Sequence, residues 1–445
     1  MRPVLHRLLW AALKAADPFA AVRGAMRFEG TCLYLRGRFL DQSGEYACPL
    51  DAVRRLIVIG AGKAAPAMAA AVEAVLGSRI TDGLVVTKAG RFKSLKRIKI
   101  LTAGHPIPNA AGQKAAERLV RLADGPGPED LVLFLLSGGA SALLPLPVEG
   151  VALRDKQRLT DQLLRSGATI HEMNAVRKHL SELKGGRLAA RCRPARVVSL
   201  ILSDVIGSPL DVIGSGPTAP DPTTFDDAIA ILKKYRVWTK TPPSVRNHLL
   251  AGRRGRRPET PKPDDPVFER VQNIVVGDNR AAADAVSAQA REMGYNSFIL
   301  TTELQGEARE TAKRFGSLAR QIRETGKPVP RPACVVAGGE LTVTVTGRGK
   351  GGRCQELALA AAKEIAGLKG TTVAAFGTDG TDGPTDAAGA IVDDSTLLRA
   401  GRKGLDPDRF LTRNDSYHFF KKLGGLIQPG PTGTNVNDIY LMLVR

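Results

Sequence analysis

Short runs of consecutive apolar residues, each closed by a glycine turn and followed by a helical pattern, recur along this 445-residue chain. "LIVIGAGKAAPAMAAAVEAVLG" and "DLVLFLLSGGASALL" both show this order of strand, turn and helix. Strands that are apolar on both faces and alternate with amphipathic helices are typical of a parallel sheet covered on both sides. The sequence therefore predicts an α/β protein, and its length predicts more than one domain.

Two α/β halves flank a helix and a Pro- and Arg-rich connector that together run from about residue 220 to 266. We predict a Rossmann-like N-terminal domain with a mostly parallel sheet over residues 1–240. A second α/β domain is predicted over residues 255–445, with a mixed sheet because "TVTVT" alternates like a half-exposed strand. The sequence leaves open whether the last segments, which end in the strand-like "NDIYLMLV", return to the first domain.

The composition excludes several classes of protein. The net charge of +20 is spread along a chain with only 5% aromatic residues, which favours small anionic substrates over nucleic acid. No apolar run reaches the length of a membrane-spanning helix. The five cysteines are scattered and have no metal spacing, so they indicate reduced thiols in a cytoplasmic protein. The oligomeric state stays open, with a homodimer as one alternative.

Three turns of small residues follow strand-like runs and are candidate sites for anions. Backbone N–H groups in such turns can approach phosphate or carboxylate oxygens. Each turn also fits an ordinary strand-to-helix connection or helix cap, so the motif alone leaves both interpretations open. The three turns contain Gly60, Gly62 and Lys63; then Ser137, Gly138, Gly139 and Ser141; and then Gly214, Ser215 and Gly216.

Polar residues elsewhere add candidate ligand contacts. Asn174 and Arg177 lie within one turn of "HEMNAVRKHLSELKGGRLA", predicted as a helix that presents either a solvated face or a contact for a substrate carboxylate. Asp204 ends a buried strand, and Asp379 lies in the loop "FGTDGTDGPTDAAGA". A carboxylate there needs a partner, and we expect these two to hold Mg²⁺ unless they serve as turn or cap residues.

The stretch "TVTVTGRGKGGRCQE" contains G-x-G-x-x-G, the fingerprint of a dinucleotide-binding turn. Its context argues against that function. "TVTVT" alternates where a buried strand is expected, and Asp379 comes too late for the acidic residue of the fingerprint. Three cations, Arg348, Lys350 and Arg353, crowd one loop. They favour a clamp for phosphate groups, in which an Arg fork is valuable.

Taken together, these segments resemble the type-2 glycerate kinases, whose C-terminal part is the MOFRL domain. The matching stretches include "VIGAGKAA", "GHPIPN", "SGGASAL", "GDNRAA", "GGELTVTVTGRGKGGRCQELAL" and "PGPTGTNVNDI". The resemblance implies ATP-dependent phosphorylation of D-glycerate, typically to 2-phosphoglycerate, with Mg²⁺ and with the active site in the cleft between two domains. It implies catalytic roles for Lys63 and Arg353.

The same resemblance adds two candidate contacts and one alternative activity. Asn279 in "GDNRAA" and Glu340 in "GGELTV" lie in matching motifs and are candidate substrate or nucleotide contacts, together with Lys350. Similar sequences have also been labelled hydroxypyruvate reductases, so an NAD(P)H-dependent reductase is the alternative to a kinase.

Overall fold

The structure is a computed structural model that describes residues 2–40 and 44–445. In chain order the strands are β1 (Met26–Glu29), β2 (Cys32–Arg36), β3 (Glu45–Pro49), β4 (Leu56–Ala61), β5 (Ile80–Lys88), β6 (Lys99–Ala103), β7 (Leu131–Ser137), β8 (Arg196–Leu202), β9 (Val271–Gly277), β10 (Asn296–Glu307), β11 (Ala333–Thr342), β12 (Thr371–Gly377), β13 (Gly389–Asp393), β14 (Leu426–Ile427) and β15 (Asp438–Val444).

The helices alternate with these strands over most of the chain. They are α1 (Arg2–Ala16), α2 (Pro18–Ala25), α3 (Ala65–Leu76), α4 (Ala110–Ala123), α5 (Ala140–Leu143), α6 (Leu153–Arg165), α7 (Ile170–His179), α8 (Arg187–Cys192), α9 (Phe225–Lys234), α10 (Pro243–Arg253), α11 (Asn279–Glu292), α12 (Ala308–Thr325), α13 (Arg353–Glu364), α14 (Thr396–Arg402), α15 (Pro407–Thr412) and α16 (Ser416–Leu423). No helix among the described residues has both the length and the apolar character needed to span a bilayer.

The chain forms two compact units whose limits differ from the predicted 1–240 and 255–445. We call Ala21–Ser203 with Ser208–Val276 the N-terminal unit. The C-terminal unit consists of Asp204–Gly207, Gly277–Arg445 and the residues up to Ala20. The first helix thus belongs with the C-terminal half, where it packs on α11 and where Thr434 Oγ1 donates a hydrogen bond to the Ala16 carbonyl.

A six-stranded sheet in the order β6-β5-β4-β7-β8-β9 forms the centre of the N-terminal unit. The pairings of β4 with β5 and β7, of β5 with β6, and of β7 with β8 are all parallel. Every residue of β4 and β7 is buried, as expected for strands with both faces covered. This strand order is that of a doubly wound Rossmann sheet, which confirms the predicted fold class. The order reverses between β4 and β7, so the turns that follow these two strands are neighbours at the switch point where such folds bind ligands.

The predicted single helix over "HEMNAVRKHLSELKGGRLA" is wrong, because the structure has two helices there. A capping box formed by Thr169 and Glu172 starts α7, which ends at His179. Gly185 and Gly186 then adopt φ of 58° and 78°, a left-handed conformation that a continuous helix does not allow. The chain turns at this point and restarts as α8, so its cations do not form one continuous row.

The C-terminal unit contains a mixed sheet in the order β10-β11-β15-β12-β13-β14. β10 pairs parallel with β11, and the remaining pairings are antiparallel. The mixed sheet that we predicted is therefore present. The last strand, β15, lies in the middle of this sheet, where all seven of its residues are buried. The closing segment thus contributes to the core of the C-terminal unit.

The strand that precedes the glycine-rich loop differs from the prediction. "TVTVT" is not a half-exposed strand, because β11 ends at Thr342 and residues 343–346 have no regular structure. β11 consists instead of the run "ACVVAGGELT", whose first seven residues are buried. The alternation of "TVTVT" is therefore no argument against a dinucleotide site. Whether the glycine-rich loop could bind a dinucleotide depends on the loop itself and on α13.

Candidate functional site

The turn after β4 does not form the open amide cradle that the sequence predicts. The N–H of Gly62 donates to the Val86 carbonyl at 3.0 Å, and the N–H of Lys63 donates to the Gly138 carbonyl at 2.9 Å. The next N–H, that of Ala64, donates to Ser137 Oγ at 3.1 Å. A Cβ on Gly62 would lie 2.0 Å from that same hydroxyl, so glycine is required for the two turns to pack. What this turn offers a ligand is therefore the side chain of Lys63.

The turn after β7 keeps its donors available. Within the described residues, the N–H groups of Gly139, Ala140 and Ser141 have no hydrogen-bond acceptor. Gly139 has a φ of +87°, and a Cβ there would lie 2.9 Å from the ring of His105 and 3.3 Å from Lys63 Cγ. Consecutive free amides beside a lysine are the kind of donors that a bound anion uses, so the loop stays a candidate anion site.

His105 is a site residue that motif reasoning missed, although it lies in the quoted "GHPIPN". Burial lowers the pKa of its imidazole, and the nearby charges of Lys63 and Lys88 lower it further. A neutral imidazole at this position can donate or accept a hydrogen bond without changing the local charge.

The third turn, residues 213–216, is linked to the second through side chains. Ser141 Oγ lies 3.1 Å from Ser215 Oγ, which donates to Asn174 Oδ1 at 3.1 Å. Ser215 has a φ of +65°, which is unusual for a residue with a Cβ and is held by these bonds. Arg177, one turn after Asn174, is partly buried and has no hydrogen-bond or ion-pair partner among the described residues. The structure thus brings together the predicted residues of this unit at the switch point of the sheet.

A cleft of about 790 Å³ lies in the C-terminal unit beside the glycine-rich loop. Backbone N–H groups of the loop are engaged by the segment before α16: Gly347 donates to Asn414 Oδ1, Gly349 donates to the Arg413 carbonyl, and Lys350 donates to Asp415 Oδ1. The loop is therefore held in a defined shape. The lining of the cleft includes Glu340, Gly349, Gly351, Gly352, Arg353, Glu356, Asp379, Thr381, Asp382 and Asn414.

Arg353, the first residue of α13, is held between two carboxylates. Its Nε and Nη2 donate to the two oxygens of Asp438 at 2.5 and 3.0 Å, and its Nη1 donates to Glu340 at 2.6 Å. Burial alone would lower the pKa of the guanidinium, but Asp438 and Glu340 raise it well above its ordinary value. Arg353 is thus permanently charged and rigidly oriented on the wall of the cleft.

The N-terminus of α13 is occupied by the side chain of Asp382. This buried carboxylate accepts hydrogen bonds from the backbone N–H groups of Cys354 and Gln355 at 3.1 and 2.8 Å. Burial raises the pKa of Asp382 to about 6, although those two bonds oppose the shift. In a dinucleotide-binding turn the pyrophosphate takes this position at the start of the helix. In this G-x-G-x-x-G loop, a carboxylate of the protein itself therefore occupies the position that a pyrophosphate would take.

Two other predicted contacts do not line the cleft. The ammonium of Lys350 lies 4.9 Å from the ring centroid of Tyr417. Asn279 is buried, and its Nδ2 donates to the carbonyls of Val436 and Asp438 at 2.8 and 2.9 Å. The Asn279 amide therefore anchors the start of β15, an interaction that its sequence motif does not reveal.

The two candidate metal ligands both belong to the C-terminal unit. Asp379 lines the cleft and accepts hydrogen bonds from Thr381 on Oδ1 only, while the segment of Asp204 contributes Ile206 to the lining. Among the described residues no group of three or more His, Cys, Asp or Glu side chains could hold a metal. This donor set fits Mg²⁺, which is commonly bound by one or two carboxylates together with water and substrate phosphates. It does not fit a cation that needs a cage of protein ligands.

The fold and the site define a two-domain α/β protein with free backbone amides at the switch point of one unit and an arginine-bearing cleft in the other. Residues 4–250 match the family described as a domain of unknown function, DUF4147, and residues 333–438 match the MOFRL family. The chain belongs to the glycerate kinase family whose C-terminal part is the MOFRL domain.

Several named relatives align with all or most of this chain. A protein of Pyrococcus horikoshii named glycerate 2-kinase is 44% identical over 445 residues, which is 100% of this chain and 97% of the relative. A Thermotoga maritima protein named D-glycerate 2-kinase is 45% identical, over 91% of this chain and 94% of its own length. An Agrobacterium vitis protein provisionally named a hydroxypyruvate reductase is 41% identical over 100% of this chain and 94% of its own.

Two solved structures have the same fold as this chain. The crystal structure of a Pyrococcus horikoshii protein superposes with a TM-score of 0.89 at 44% identity and covers 100% of this chain and 98% of the other. A crystal structure of the Thermotoga maritima glycerate kinase gives a TM-score of 0.88 at 42% identity, over 100% and 99% of the two chains.

Proposed function

We propose that this protein is an ATP-dependent kinase that phosphorylates D-glycerate on its 2-hydroxyl to give 2-phospho-D-glycerate. The observation that carries the proposal is the 44% identity, over the whole chain, to a protein named glycerate 2-kinase. The chemistry of the site supports phosphoryl transfer, because the two units offer oriented cations and free amides. Phosphoryl transfer depends mainly on positioning and on neutralisation of charge, which such groups can supply.

Lys63 and Arg353 are the residues to which we assign catalysis. Lys63 has no bonded partner for its ammonium among the described residues, so the charge is available to a phosphoryl oxygen. Arg353 uses three of its five N–H donors on Asp438 and Glu340, which leaves two to contact developing charge. That both cations act on one substrate stays a prediction from the sequence.

We assign the binding of anionic substrate groups to the turn with residues 137–141 and to Ser215, Asn174 and Arg177. Mg²⁺, when bound, would neutralise phosphate charge, and Asp379 and Asp204 are the side chains proposed to hold it. Gly62, Gly214 and Gly216 let these turns pack closely, because a Cβ on any of them would lie less than 3 Å from a neighbouring atom. Gly60 lies within β4 and packs as closely on Leu135, and Gly138 stays a predicted contact. Asn279 and Lys350 stay candidate contacts, and their observed partners argue for structural roles.

A hydroxypyruvate reductase is the second candidate function. The name of the Agrobacterium vitis relative favours it, and so does the Rossmann strand order of the N-terminal unit. The turn between β4 and α3 argues against a reductase. Its backbone N–H groups, those of Lys63 and Ala64, already donate to the turn after β7.

A two-part assay tests the proposal. One part supplies D-glycerate and ATP-Mg²⁺, measures ADP release, and passes the product to enolase, which accepts 2-phosphoglycerate directly but not 3-phosphoglycerate. The other supplies hydroxypyruvate with NADH or NADPH. We expect ADP release and an enolase-positive product in the first part and no cofactor oxidation in the second. Cofactor oxidation without ADP release would replace the kinase by the reductase.

A further inference from the structure

Two lysines behind the turn after β7 are buried with only carbonyl groups as partners. Lys184 is 2% exposed, and its Nζ donates to the Ser141 carbonyl at 2.9 Å. Lys156 is 7% exposed and donates to the Leu180 carbonyl at 3.0 Å. Neither ammonium forms an ion pair with a carboxylate in residues 2–40 and 44–445. Each side-chain nitrogen is therefore buried without a counter-charge among the described residues.

Lys178 is a direct comparison from the same part of the unit. It is also 2% exposed, but its Nζ lies 3.1 Å from Asp211 and 3.3 Å from Asp221. Burying an ammonium without a counter-charge costs several kcal/mol, so folded proteins normally provide the partner seen at Lys178. An uncompensated pair of lysines in the interior is an arrangement typical of a site that an anion completes.

The charged groups around the two lysines explain their state in the free protein. Burial lowers the pKa of Lys184 well below its ordinary value, and the charges of Lys156 and Arg177 lower it further. Burial and Arg177 together lower the pKa of Lys156 to about 7, and only Glu182 opposes the shift. The Glu182 carboxylate itself accepts a hydrogen bond from Nη2 of Arg191. The lysines are thus able to gain protons when negative charge arrives.

The front of the same turn provides donors that a ligand can reach. The N–H groups of Gly139, Ala140 and Ser141 are free, and Lys63 and Arg177 are both partly exposed. A single carboxylate carries one charge and would leave most of these cations uncompensated. A chain of phosphates carries several charges and matches both the amides and the number of cations.

We propose that the turn after β7, with Lys63, Arg177 and the buried Lys184 and Lys156, binds a chain of two or more phosphates and takes up a proton as it does so. The proton comes from solvent and converts a lysine amine to its ammonium, while no bond of the ligand breaks. The inference rests on the proposed function only in its choice of a nucleotide as the source of the phosphates.

Calorimetric titration of the full-length protein with ADP, without Mg²⁺, tests this inference. At about pH 8.5 the phosphates of ADP are fully ionised, since a phosphate monoester has its second pKa at about 6. The binding heat is measured in two buffers with different heats of ionisation, and their difference counts the protons exchanged. We expect a net uptake of about one proton by the unmodified protein, because the anion raises the pKa of the buried amines.

Two variants and one control variant test whether the buried lysines take up the proton. Lys184→Gln keeps a polar side chain at this position but cannot be charged, and Lys156→Met serves if that variant does not fold. Either should reduce the proton uptake and weaken ADP binding roughly tenfold, because a nearby charge is lost. Lys233→Gln, on the exposed face of α9, should change neither quantity.

The outcomes separate this inference from the proposed function. Proton uptake that falls in Lys184→Gln supports the phosphate site, even if no glycerate is phosphorylated, in which case the proposed function alone fails. ADP binding without uptake, or with equal affinity in Lys184→Gln and Lys156→Met, overturns the inference. Glycerate phosphorylation that persists alongside such a result leaves the kinase function standing.

Discussion

Arg353 and Asp438 form a two-point ion pair in which Nε and Nη2 of the guanidinium donate to different oxygens of the carboxylate. The Tyr440 hydroxyl donates to the same carboxylate at 2.9 Å, and Asp438 is 2% exposed. This pair orients the guanidinium on the wall of the cleft, and it also makes Arg353 a structural partner of a buried charge. Substitutions of Arg353 are therefore expected to change stability in addition to any effect on the proposed phosphorylation.

The first prediction concerns Arg353→Ala and Arg353→Lys. Arg353→Ala leaves Asp438 buried without a counter-charge, so we expect a loss of about 3–5 kcal/mol in the free energy of unfolding, together with loss of phosphorylation. Arg353→Lys keeps a positive charge near Asp438 but removes the forked donors, so we expect a folded protein whose kcat falls by about a hundredfold. Urea unfolding and steady-state kinetics of both variants measure the two effects.

Arg409→Ala is the matched control for that pair, because Arg409 is an exposed arginine on α15. Its kcat and unfolding free energy should stay near those of the unmodified protein. Turnover by Arg353→Lys within a few-fold of normal would show that the forked geometry has no role in the reaction.

The second prediction is that Lys63→Met separates activity from stability. The ammonium of Lys63 has no partner among the described residues, so its loss leaves no buried group unsatisfied. We expect the free energy of unfolding to change by less than about 0.5 kcal/mol. We expect kcat/KM to fall by roughly a hundredfold or more. Lys114→Met, on the exposed side of α4, is the control. An active Lys63→Met enzyme would remove this lysine from the mechanism.

The third prediction follows from the raised pKa of Asp382. Its value of about 6 in the folded protein lies above the ordinary value of 3.8. The folded state therefore binds the proton more tightly than the unfolded state. The stability that this group contributes is full below pH 3.8 and is lost as the pH rises through 6.

Asp382→Asn cannot titrate, so comparison with this variant isolates the effect. Between about pH 7 and pH 5 the stability of the unmodified protein should rise relative to that of the variant by about 1.3 kcal/mol. Urea unfolding at a series of pH values measures the difference. Parallel stability curves for the two proteins would contradict the assignment.

The fourth prediction is that the protein does not bind NADH or NADPH at the glycine-rich loop. The carboxylate of Asp382 occupies the start of α13, where a pyrophosphate would otherwise accept the same N–H groups. Titration of NADH fluorescence should therefore give no saturable change, while ADP binds in a parallel calorimetric experiment. Saturable NADH binding that Arg353→Lys weakens would instead support the dinucleotide interpretation of this loop.

The sequence pattern correctly predicted the elements whose cause is local. Continuous apolar runs gave the buried strands β4 and β7, and the glycine turns after them lie together because parallel strands end at one edge of a sheet. The same reasoning failed for "TVTVT", because a segment without regular structure can also alternate apolar and polar residues. "TVTVT" alternates like a strand, but the buried β11 ends at Thr342.

The residues that complete the site lie within the quoted motifs, but no motif reveals which groups they contact. Asp438 reaches Arg353 across 85 positions of sequence, and Asp382 reaches Gln355 across 27. Lys184 meets Ser141 across 43 positions. Such contacts follow from the packing of whole elements, and no spacing rule in the sequence specifies them.

The alternation of apolar strands, glycine turns and helices was enough to establish the α/β class and the turns that carry Lys63 and Ser137. These are consequences of backbone geometry and of side-chain periodicity, which act over a few residues. The mixed second sheet was predicted from "TVTVT", which is not a strand, so that prediction was right for a reason that the structure does not support. Tertiary structure decided which turns have N–H groups available to an anion. A neighbouring loop or carboxylate accepts hydrogen bonds from some of these N–H groups and leaves others free. Tertiary structure also decided which cations are compensated, because the charge state of a buried lysine depends on partners that only folding brings within reach.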